Sequence, residues 1–387
     1  MQAVILAGGE GWRLRPLTKN RPKALIPVGN RPLIDYCIDA LLESGIRDII
    51  VVVGYRREQV IRHLNALDHE VRVVVQERQL GSAHALACAA PHIHDSTLVL
   101  SGDNYIDSSS IEKMGSAGNA IMVTSSFSPA HYGVVTVKNG CVTDFVEKPD
   151  EKGPSLVNSG LYLFTPGVIR SIQERELSDL IIRLLSDGVC IKAVVGGDWN
   201  DAIHPWDLLT QNRYLLATNE SRKNGVISHR ATITGRVSIG ARSSIGPGCC
   251  ITGPVRIGDD TTIAPNTVIG PDVSIGDRVD IEPFSLVSNA IVMDDVRIGS
   301  HSRIADSVIG DGCYIADHLS TITTEALIPL GDTVAQMLHR GTFGAILGEW
   351  VVIEPSVVLK GCILGNNVMV HAGRRLEGVI PDGSRVV

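Results

Sequence analysis

The sequence predicts an α/β domain over residues 1–222, followed by a solenoid of short parallel β-strands over residues 223–387. At 387 residues the chain is longer than one hydrophobic core usually serves, so two domains are expected. The first half alternates β-branched segments with helical patterns, whereas the second half repeats an aliphatic residue at every sixth position. Aromatic residues make up only 4% of the chain, which agrees with a narrow solenoid that has no space for large rings.

Five short segments of the first half are rich in β-branched residues and have the length of buried strands. Helical patterns over residues 32–42 and 82–90 lie between some of them. This alternation predicts a parallel sheet whose ligand site lies at the carboxyl ends of its strands. The predicted strands cover residues 4–7, 49–53, 71–75, 97–100 and 121–124.

The repeat of the second half runs without a break from Ile227 to Val287. Neither a helix nor an amphipathic strand has this period, but a triangular coil with three short sides places one aliphatic side chain inward on each side. Beyond Met293 the register slips and resumes, and residues 324–348 lack the repeat. We therefore predict an excursion from the solenoid near residues 324–348, and a helical linker over residues 205–220 between the two halves.

Composition and charge argue against several classes of protein. A net charge of -7 without a basic run makes nucleic acid an unexpected partner. No apolar stretch approaches membrane-spanning length and no basic leader precedes the first strand, so we expect a cytoplasmic protein without a membrane partner. The eight cysteines contain no CxxC pair, and we expect buried free thiols rather than a zinc site.

A glycine-rich segment directly after the first predicted strand is a candidate phosphate-binding loop. Gly8, Gly9 and Gly11 let the backbone turn with its N–H groups facing outward, where they can bind phosphate oxygens. Glycines alone are weak support, because many such segments are only tight turns. Arg13 and Lys23 follow in the same segment and would add positive charge, although solvated loop charges are the structural alternative.

Such a loop suits an in-line attack by an anionic phosphate oxygen on the α-phosphorus of a nucleoside triphosphate. The reaction needs no general base, but its catalyst must bring two polyanions together, so cations and a metal are expected. Mg2+ prefers one or two carboxylates together with phosphate oxygens and water. Asp103 follows a predicted strand and is one candidate ligand. Asp201 is a second, for which a helix N-cap or a turn is an equal alternative.

Four separated groups of residues occur in a fixed order along the first half. They are the loop from Gly8 to Lys23; Gln76 with residues 80–83; the pair Gly102 and Asp103; and residues 132–135 with residues 147–149 and 158–160. In this order they resemble the sugar-nucleotidyltransferase family, which includes glucose-1-phosphate thymidylyltransferases, UDP-sugar pyrophosphorylases and mannose-1-phosphate guanylyltransferases. The resemblance covers about the first 220 residues, and Trp12 departs from it, since the family usually has a small residue there.

The resemblance implies a Rossmann-like nucleotidyltransferase domain, with Mg2+ bound by Asp103 and Asp201. Arg13 and Lys23 would be catalytic and would hold the triphosphate. A lysine suits a phosphate, and neutral or acidic hydrogen-bonding groups suit a polyol. The implied nucleotide-binding residues are Leu6, Ala7, Gly8, Gly9, Gly11, Gln76 and Gly81, and the implied sugar-phosphate-binding residues are Gly133, Glu147, Lys148 and Asn158.

Residues 225–380 resemble the left-handed parallel β-helix of bifunctional nucleotidylyltransferase/acetyltransferases, including their archaeal relatives. That family deprotonates an amine with a histidine, but here Ser300 stands at the matching position and His301 lies one residue further on. A shift of one residue on a strand turns the side chain to the other face. A later turn that bears an asparagine in the family ends in Glu325 here. We therefore expect the solenoid to form a homotrimer or a higher homo-oligomer rather than to transfer acetyl groups.

Three functional hypotheses remain open at this stage. The leading one is an Mg2+-dependent sugar-1-phosphate nucleotidylyltransferase, with dTTP or UTP and glucose- or N-acetylglucosamine-1-phosphate as substrates. The second is a regulatory subunit that binds a nucleotide-sugar without catalysis, but the candidate residues Arg13, Lys23, Asp103 and Asp201 are all present. The third is a bifunctional enzyme whose solenoid also acetylates an amino-sugar phosphate.

Overall fold

The computed structural model describes residues 1–115, 118–127, 129–150, 153–197, 199–218, 221–330 and 337–387. The chain packs into two units. The first consists of Met1–Glu10, Arg21–Leu25 and Pro32–Asp201, and the second of Gly11–Asn20, Ile26–Arg31 and Ala202–Val387. The second unit thus includes two short N-terminal segments and most of the predicted linker. The predicted domain ranges, 1–222 and 223–387, stay a prediction.

The strands and helices of the first half follow one another in chain order. The strands are β1 (Gln2–Ala7), β2 (Pro27–Val28), β3 (Arg31–Pro32), β4 (Asp48–Val53), β5 (Arg72–Val75), β6 (Thr97–Ser101), β7 (Tyr105–Ile106), β8 (Asn119–Ser126), β9 (Gly133–Lys138), β10 (Cys141–Glu147), β11 (Ser155–Phe164), β12 (Ile191–Val195) and β13 (Trp199–Asn200). The helices are α1 (Leu33–Glu43), α2 (Arg57–Leu64), α3 (Ser82–Ala89), α4 (Ser108–Lys113), α5 (Pro166–Arg170) and α6 (Leu177–Ser186).

The main sheet of the first unit has the strand order β5-β4-β1-β6-β11-β8-β12-β10-β9. All five predicted strands are present in it, and both predicted helices are confirmed as α1 and α3. The prediction of a parallel sheet is wrong beyond β6, because β11 runs antiparallel between β6 and β8. The connection from β8 to β11 passes through the β9–β10 hairpin instead of a crossover helix, so β11 can return in the opposite direction.

Both faces of this sheet are covered, which explains why its first strands are continuously apolar. Ala3, Ile5 and Val51 pack on one face with apolar residues of α1 and α2. Val4 and Val52 pack on the opposite face with apolar residues of α3 and α6. The carboxyl ends of the parallel strands β1, β4, β5 and β6 therefore form one edge between two cores.

The second unit is a β-helix of parallel coils, as predicted. Its strands are β14 (Val226–Ile227), β15 (Thr232–Thr234), β16 (Val237–Ile239), β17 (Ser244–Ile245), β18 (Cys250–Thr252), β19 (Val255–Ile257), β20 (Thr262–Ile263), β21 (Val268–Ile269), β22 (Val273–Ile275), β23 (Asp280–Ile281), β24 (Leu286–Val292), β25 (Arg297–Ile298), β26 (Arg303–Ile309), β27 (Tyr314–Ile315), β28 (Ser320–Ile322), β29 (Thr324–Leu330), β30 (Met337–Phe343), β31 (Ala345–Leu347), β32 (Val352–Ile353), β33 (Val358–Leu364), β34 (Met369–Val370), β35 (Arg375–Ile380) and β36 (Arg385–Val386).

Inward aliphatic residues of successive coils stack on one another. On one side Ile245 pairs with Ile263, then Ile263 with Ile281, and Ile281 with Ile298. The last of these steps is one residue shorter than the two before it, which explains the slip of the repeat near Met293. These side chains are buried and form a single apolar core along the coils.

The segment that lacks the repeat forms an antiparallel hairpin of β29 and β30. Residues 331–336, which include Gly331 of the predicted excursion, lie outside the described residues. Within the second unit, Phe343 of the hairpin stacks on Trp206, and His339 Nδ1 lies 3.0 Å from Nε2 of His204. The coil continues on the other side of the hairpin, because Ile315 pairs directly with Ile353.

The predicted linker contains helix α7 (Asp207–Ala217), which belongs to the second unit. It contacts β22 and β24, and its buried Leu208 and Leu215 lie on one face of the helix. Residues 219–220 of the predicted linker lie outside the described residues. In the part of the chain that the structure describes, no helix is long and apolar enough to cross a membrane.

The expectation of free buried thiols holds for four of the eight cysteines. Cys141 and Cys190 form a disulfide, and Cys250 is exposed. Cys37, Cys249, Cys313 and Cys362 are buried and free, as expected, and Cys88 is half-buried. The sequence pattern could not show the pairing, because Cys141 and Cys190 come together only when β10 and β12 pair in the sheet.

Candidate active site

Three charged side chains of the first unit converge at the carboxyl edge of the sheet. Lys23 opens a short helical turn, Asp103 lies two residues after β6 ends, and Asp201 directly follows β13. Pairing of β13 with β7 brings Asp201 back to the segment that carries Asp103. The Lys23 ammonium contacts Oδ2 of Asp103 and lies 3.6 Å from Oδ1 of Asp201.

The charges of this cluster support one another in partly dry surroundings, since each side chain is only 17% exposed. Burial alone would lower the pKa of Lys23, but the carboxylates of Asp103 and Asp201 outweigh it and hold the pKa above its usual value. Burial likewise opposes ionisation of Asp103, yet the Lys23 ammonium keeps the pKa of Asp103 below its usual value. Lys23 and Asp103 are therefore both charged at neutral pH.

The loop that carries Asp103 is fixed by its neighbours on both sides. The backbone N–H of Gly102 donates to the carbonyl of Leu6 at 2.9 Å, and Ser101 Oγ donates to Asp103 Oδ1. The Cys37 thiol, on helix α1, donates to the carbonyl of Asn104 at 3.1 Å. Burial raises the pKa of this thiol, so Cys37 is an inert structural donor and not a nucleophile.

The glycine-rich turn begins where β1 ends, with Leu6 and Ala7 as its last strand residues. The carbonyl of Gly8 accepts a hydrogen bond from the N–H of Tyr55 at 3.0 Å. A Cβ atom at Gly8 would lie 2.8 Å from Oε1 of Gln76, whereas one at Gly9 would meet nothing within 4 Å. A side chain at Gly8 would therefore displace the Gln76 amide, whereas Gly9 has open space beside its backbone.

The next part of the turn belongs to the second unit. Gly11 adopts the left-handed conformation with φ 67° before the helical turn Trp12–Leu14. The Arg13 guanidinium lies 5.5 Å from the ring centroid of Trp12, within the range of a cation–π contact. Trp12 thus contacts the candidate arginine itself. The predicted role of Arg13 in holding a triphosphate stays a prediction.

The two candidate base-binding residues meet in the first unit. The buried Gln76 donates from Nε2 to the carbonyl of Gly81 at 3.0 Å, and the same atom lies 2.9 Å from Nδ1 of His84. Gly81 has φ 124° and packs against the carbonyl of Arg175, so no side chain fits there. The structure brings Gln76 and Gly81 together, and their contact with a base stays a prediction.

The candidate sugar-phosphate residues come from the distal strands of the same sheet. Gly133 and Glu147 face each other across the β9–β10 pair, and the Phe145 ring occupies the space that a side chain at residue 133 would need. Lys148 follows β10, and its Nζ lies 3.3 Å from Oε1 of Glu147. Asn158 lies on β11, which also contacts β9. These elements therefore bring the four predicted residues to one part of the sheet.

Tyr162 was not predicted, but it supports this group. Asn158 donates from Nδ2 to the Tyr162 hydroxyl at 2.6 Å, and its Oδ1 accepts from the N–H of Gly160 at 2.9 Å. Burial raises the pKa of Tyr162 to about 12, and the Glu147 charge contributes to the same shift. On a regular strand residues 158 and 162 would lie about 13 Å apart. They meet because the strand is irregular between them, where Gly160 has φ 82°, and the sequence pattern gave no sign of this.

The donor set fits a divalent cation that also binds phosphate. Asp103 and Asp201 supply two carboxylates that already bind one cation, the Lys23 ammonium. Among the described residues, no group of three or more histidine, cysteine or acidic side chains is arranged to hold a metal. Two carboxylates completed by phosphate oxygens and water are the set that Mg2+ prefers in proteins.

Comparisons with known proteins found two matching family models and several relatives. A family model for nucleotidyl transferases matches residues 2–217, and one for the GMPPB C-terminal domain matches residues 251–380. The low-salt glycan biosynthesis nucleotidyltransferase Agl11 of Haloferax volcanii is 36% identical over 335 residues, which cover 81% of this chain and 94% of the relative.

Two further relatives extend the comparison. The bifunctional protein GlmU of Methanococcus maripaludis is 31% identical over 403 residues, covering 100% of this chain and 97% of the relative. A probable mannose-1-phosphate guanylyltransferase 2 of Oryza sativa is 32% identical over 328 residues, covering 80% and 86% of the two chains.

The first half of the chain thus matches transferases that act on nucleotidyl groups, and it is joined to a parallel β-helix. More specifically, the chain belongs to the sugar-1-phosphate nucleotidylyltransferase family.

Proposed function

We propose that the chain joins dTTP or UTP to glucose- or N-acetylglucosamine-1-phosphate, giving a nucleotide-sugar and pyrophosphate. The observation that carries this proposal is the convergence of Lys23 with Asp103 and Asp201 at the carboxyl edge of the sheet. A lysine between two carboxylates supplies the fixed charges that a reaction between two polyanions requires.

In the proposed reaction, a phosphate oxygen of the sugar-1-phosphate attacks the α-phosphorus of the triphosphate. The new P–O bond forms as the bond to the β-phosphate oxygen breaks, and pyrophosphate leaves with that electron pair. Lys23 stabilises charge on the triphosphate, together with Arg13. Mg2+ held by Asp103 and Asp201 would neutralise phosphate charge and orient the oxygens. Gly8 and Gly9 directly follow β1 and would offer backbone N–H groups to the phosphate oxygens.

The distal strands supply the sugar side of the proposed site. Glu147 and Asn158 offer an acidic acceptor and an oriented amide to sugar hydroxyls, since Asn158 is fixed by Tyr162 and Gly160. Lys148 would bind the sugar phosphate. Gly133 lies opposite Glu147 on the neighbouring strand, and the Phe145 ring fills the space that a side chain at residue 133 would need.

The choice of a pyrimidine base rests on sequence alone, namely residues 102–104 together with residues 132–135, which resemble pyrimidine-nucleotide members of the family. A mannose-1-phosphate guanylyltransferase is the second candidate. It is supported by the match of residues 251–380 to the GMPPB C-terminal domain and by the name of the rice relative.

Acetyl transfer by the β-helix is a less favoured addition, although the Methanococcus relative is called bifunctional. His301 lies at an exposed corner, where its ring stacks between Phe284 and His318 at centroid distances of 5.1 and 5.2 Å. A ring held in a stack at a corner suits a structural role better than proton transfer. We also propose a cytoplasmic homotrimer or higher homo-oligomer, assembled through the β-helix.

Pyrophosphate release with Mg2+ tests the proposal. Purified protein is assayed with dTTP, UTP, GTP, ATP and CTP, each combined with glucose-, N-acetylglucosamine-, galactose- and mannose-1-phosphate. We expect activity with a pyrimidine nucleotide and a glucose-type sugar. Preference for GTP with mannose-1-phosphate would select the second candidate. If the folded protein releases no pyrophosphate in any combination, a regulatory subunit is favoured.

A further inference from the structure

One corner of the β-helix carries a ladder of acidic side chains that hold the backbone of the preceding coil. Asp277 Oδ1 accepts from the N–H of Asp259 at 2.8 Å, and Asp294 Oδ1 accepts from the N–H of Asp277 at 2.9 Å. Near the end of the chain the same contacts recur. Asn366 Oδ1 accepts from Glu349 N–H, and Asp382 Oδ1 accepts from Asn366 N–H, both at 2.6 Å.

The last rungs of this ladder also contact a segment from the start of the chain. Their partners lie in Gly11–Asn20, the part of the glycine-rich segment that belongs to the second unit. Asp382 forms an ion pair with Lys19 through Oδ2. Asn366 donates from Nδ2 to the carbonyl of Pro16 at 3.4 Å. Glu349, in the same coil region, accepts from Asn20 Nδ2 at 3.1 Å.

Asn366 is the informative member of the ladder. It is 2% exposed and stands where most rungs have an aspartate. An aspartate could accept the backbone hydrogen bond equally well, but only an amide can also donate to the carbonyl of Pro16. The exchange of aspartate for asparagine thus coincides with the rung that contacts this segment.

The contacted segment is ordered internally and carries Arg13. Thr18 Oγ1 donates to the carbonyl of Gly11 at 2.8 Å, which closes the segment on itself. Leu14, Leu17 and Thr18 are buried, so contacts at Pro16, Lys19 and Asn20 hold the segment as one piece. In the chain the segment is flanked by the Gly8–Gly9 turn on one side and by Lys23 on the other.

We propose that Asn366 and Asp382 of the β-helix are positioning residues for nucleotide binding. They hold the Gly11–Asn20 segment and thereby set the conformation of Arg13, to which the proposed function assigns triphosphate binding. This inference rests on the proposed function for the role of Arg13. It gives the β-helix a part in the chemistry that is separate from subunit assembly.

Kinetics of matched variants test this inference. Asn366→Asp keeps the acceptor for Glu349 and removes the donor to Pro16, and Asp382→Asn keeps the acceptor for Asn366 and removes the charge opposite Lys19. We expect the KM for the nucleoside triphosphate to rise about five- to tenfold in each, because one oriented or charge-assisted contact is lost. The KM for the sugar phosphate and kcat should stay within about twofold.

Asp277→Asn is the matched control, since Asp277 makes the same ladder contact. A triphosphate KM in Asn366→Asp and Asp382→Asn that equals that of Asp277→Asn would overturn the inference. If wild-type protein is inactive with every substrate pair, the proposed function fails, and a readout independent of activity decides the inference.

That readout is 19F NMR of protein labelled with fluorotryptophan. The four tryptophans give four signals, and Trp12 lies next to Arg13 in the segment. We expect Asn366→Asp to shift or broaden the Trp12 signal and to leave those of Trp199 and Trp206 unchanged. Should Asn366→Asp fail to fold, Lys19→Met removes the exposed partner of Asp382 and must move the same signal. An unmoved Trp12 signal in the folded variants contradicts the inference.

Discussion

Aspartates occur in opposite settings in the two units of this molecule. In the first unit, Asp103 and Asp201 converge on a single lysine, and the pKa of Asp103 is lowered. In the β-helix, Asp277, Asp294 and Asp311 stand one above another and accept backbone hydrogen bonds from the preceding coil. There the pKa of Asp294 is raised, by burial and by the neighbouring carboxylates of Asp311 and Asp277.

The same residue type thus has a proposed catalytic role in the first unit and a structural role in the β-helix. A ladder position recurs with each coil, and at each recurrence the aspartate accepts the same backbone hydrogen bond. The Lys23 cluster draws its members from three distant parts of the chain and occurs once among the described residues. Like charges are tolerated in the ladder because arginines such as Arg278 lie beside it, 3.7 Å from Asp294.

The largest expected effect is on catalysis and follows from Asp103→Asn. We expect a loss of at least about 10³-fold in kcat, because the amide keeps the shape but removes a carboxylate that binds the cation and faces Lys23. Pyrophosphate release measures the loss. Asp277→Asn, the same change in the ladder, should retain wild-type activity. Comparable losses in both variants would abolish the distinction between the two sets of aspartates.

Lys23→Met is expected to lower kcat by about 10²-fold, since one fixed cation on the triphosphate is lost. Without Lys23 the carboxylates of Asp103 and Asp201 also lose their shared partner, so the first unit should lose about 2–3 kcal/mol of unfolding free energy. Added Mg2+ should raise the Tm of Lys23→Met more than that of wild type, because wild type carries its own ammonium. Thermal denaturation with and without Mg2+ checks this, and equal Mg2+ shifts would contradict it.

Asp277→Ala should reduce stability and spare activity. The N–H of Asp259 loses its acceptor, which costs about 1–2 kcal/mol. Urea unfolding followed by circular dichroism measures this cost, and Asp277→Asn serves as the control that keeps the acceptor. If alanine and asparagine at residue 277 destabilise equally, the hydrogen bond is not what the ladder contributes.

The smallest expected effect is a slight gain in stability from Asp294→Asn at neutral pH. Because the folded-state pKa of Asp294 is raised, the wild-type carboxylate costs stability once pH rises through that pKa, and the cost is absent below the unfolded value near 3.8. The asparagine keeps the acceptor, as Asn366 does. A gain of a few tenths of a kcal/mol is expected, since the side chain is half-exposed. Urea unfolding at pH 7 and pH 4 should show a larger gain at pH 7 than at pH 4, and an equal gain at both would contradict this cause.

The repeating part of the fold was the easier to predict. A period of six fixes which side chains point inward, so the coils and their core followed from Ile227 to Val287. In the first unit, β-branched segments predicted strands correctly, but they carry no sign of direction, and the antiparallel β11 was missed. The disulfide of Cys141 and Cys190 was missed for the same reason, since strand pairing creates it.

Motifs predicted the side chains expected to contact a ligand directly, but not the side chains that support them. Lys23, Asp103 and Asp201 were predicted together, and the structure brings them together. Tyr162 and Ser101 were not predicted, because they act through Asn158 and Asp103. No local pattern could link Pro16 to Asn366, which lies hundreds of residues further along the chain.

The hairpin of β29 and β30 leaves the coil at a corner, and the coil resumes with Ile315 still paired to Ile353. The stacking of rungs therefore does not depend on how much chain lies between them at a corner. Evolution can graft or delete whole peptides at such a point while every inward residue keeps its neighbour. Corners of this kind are natural places for new recognition elements to arise, and they offer insertion points for an engineered epitope or reporter.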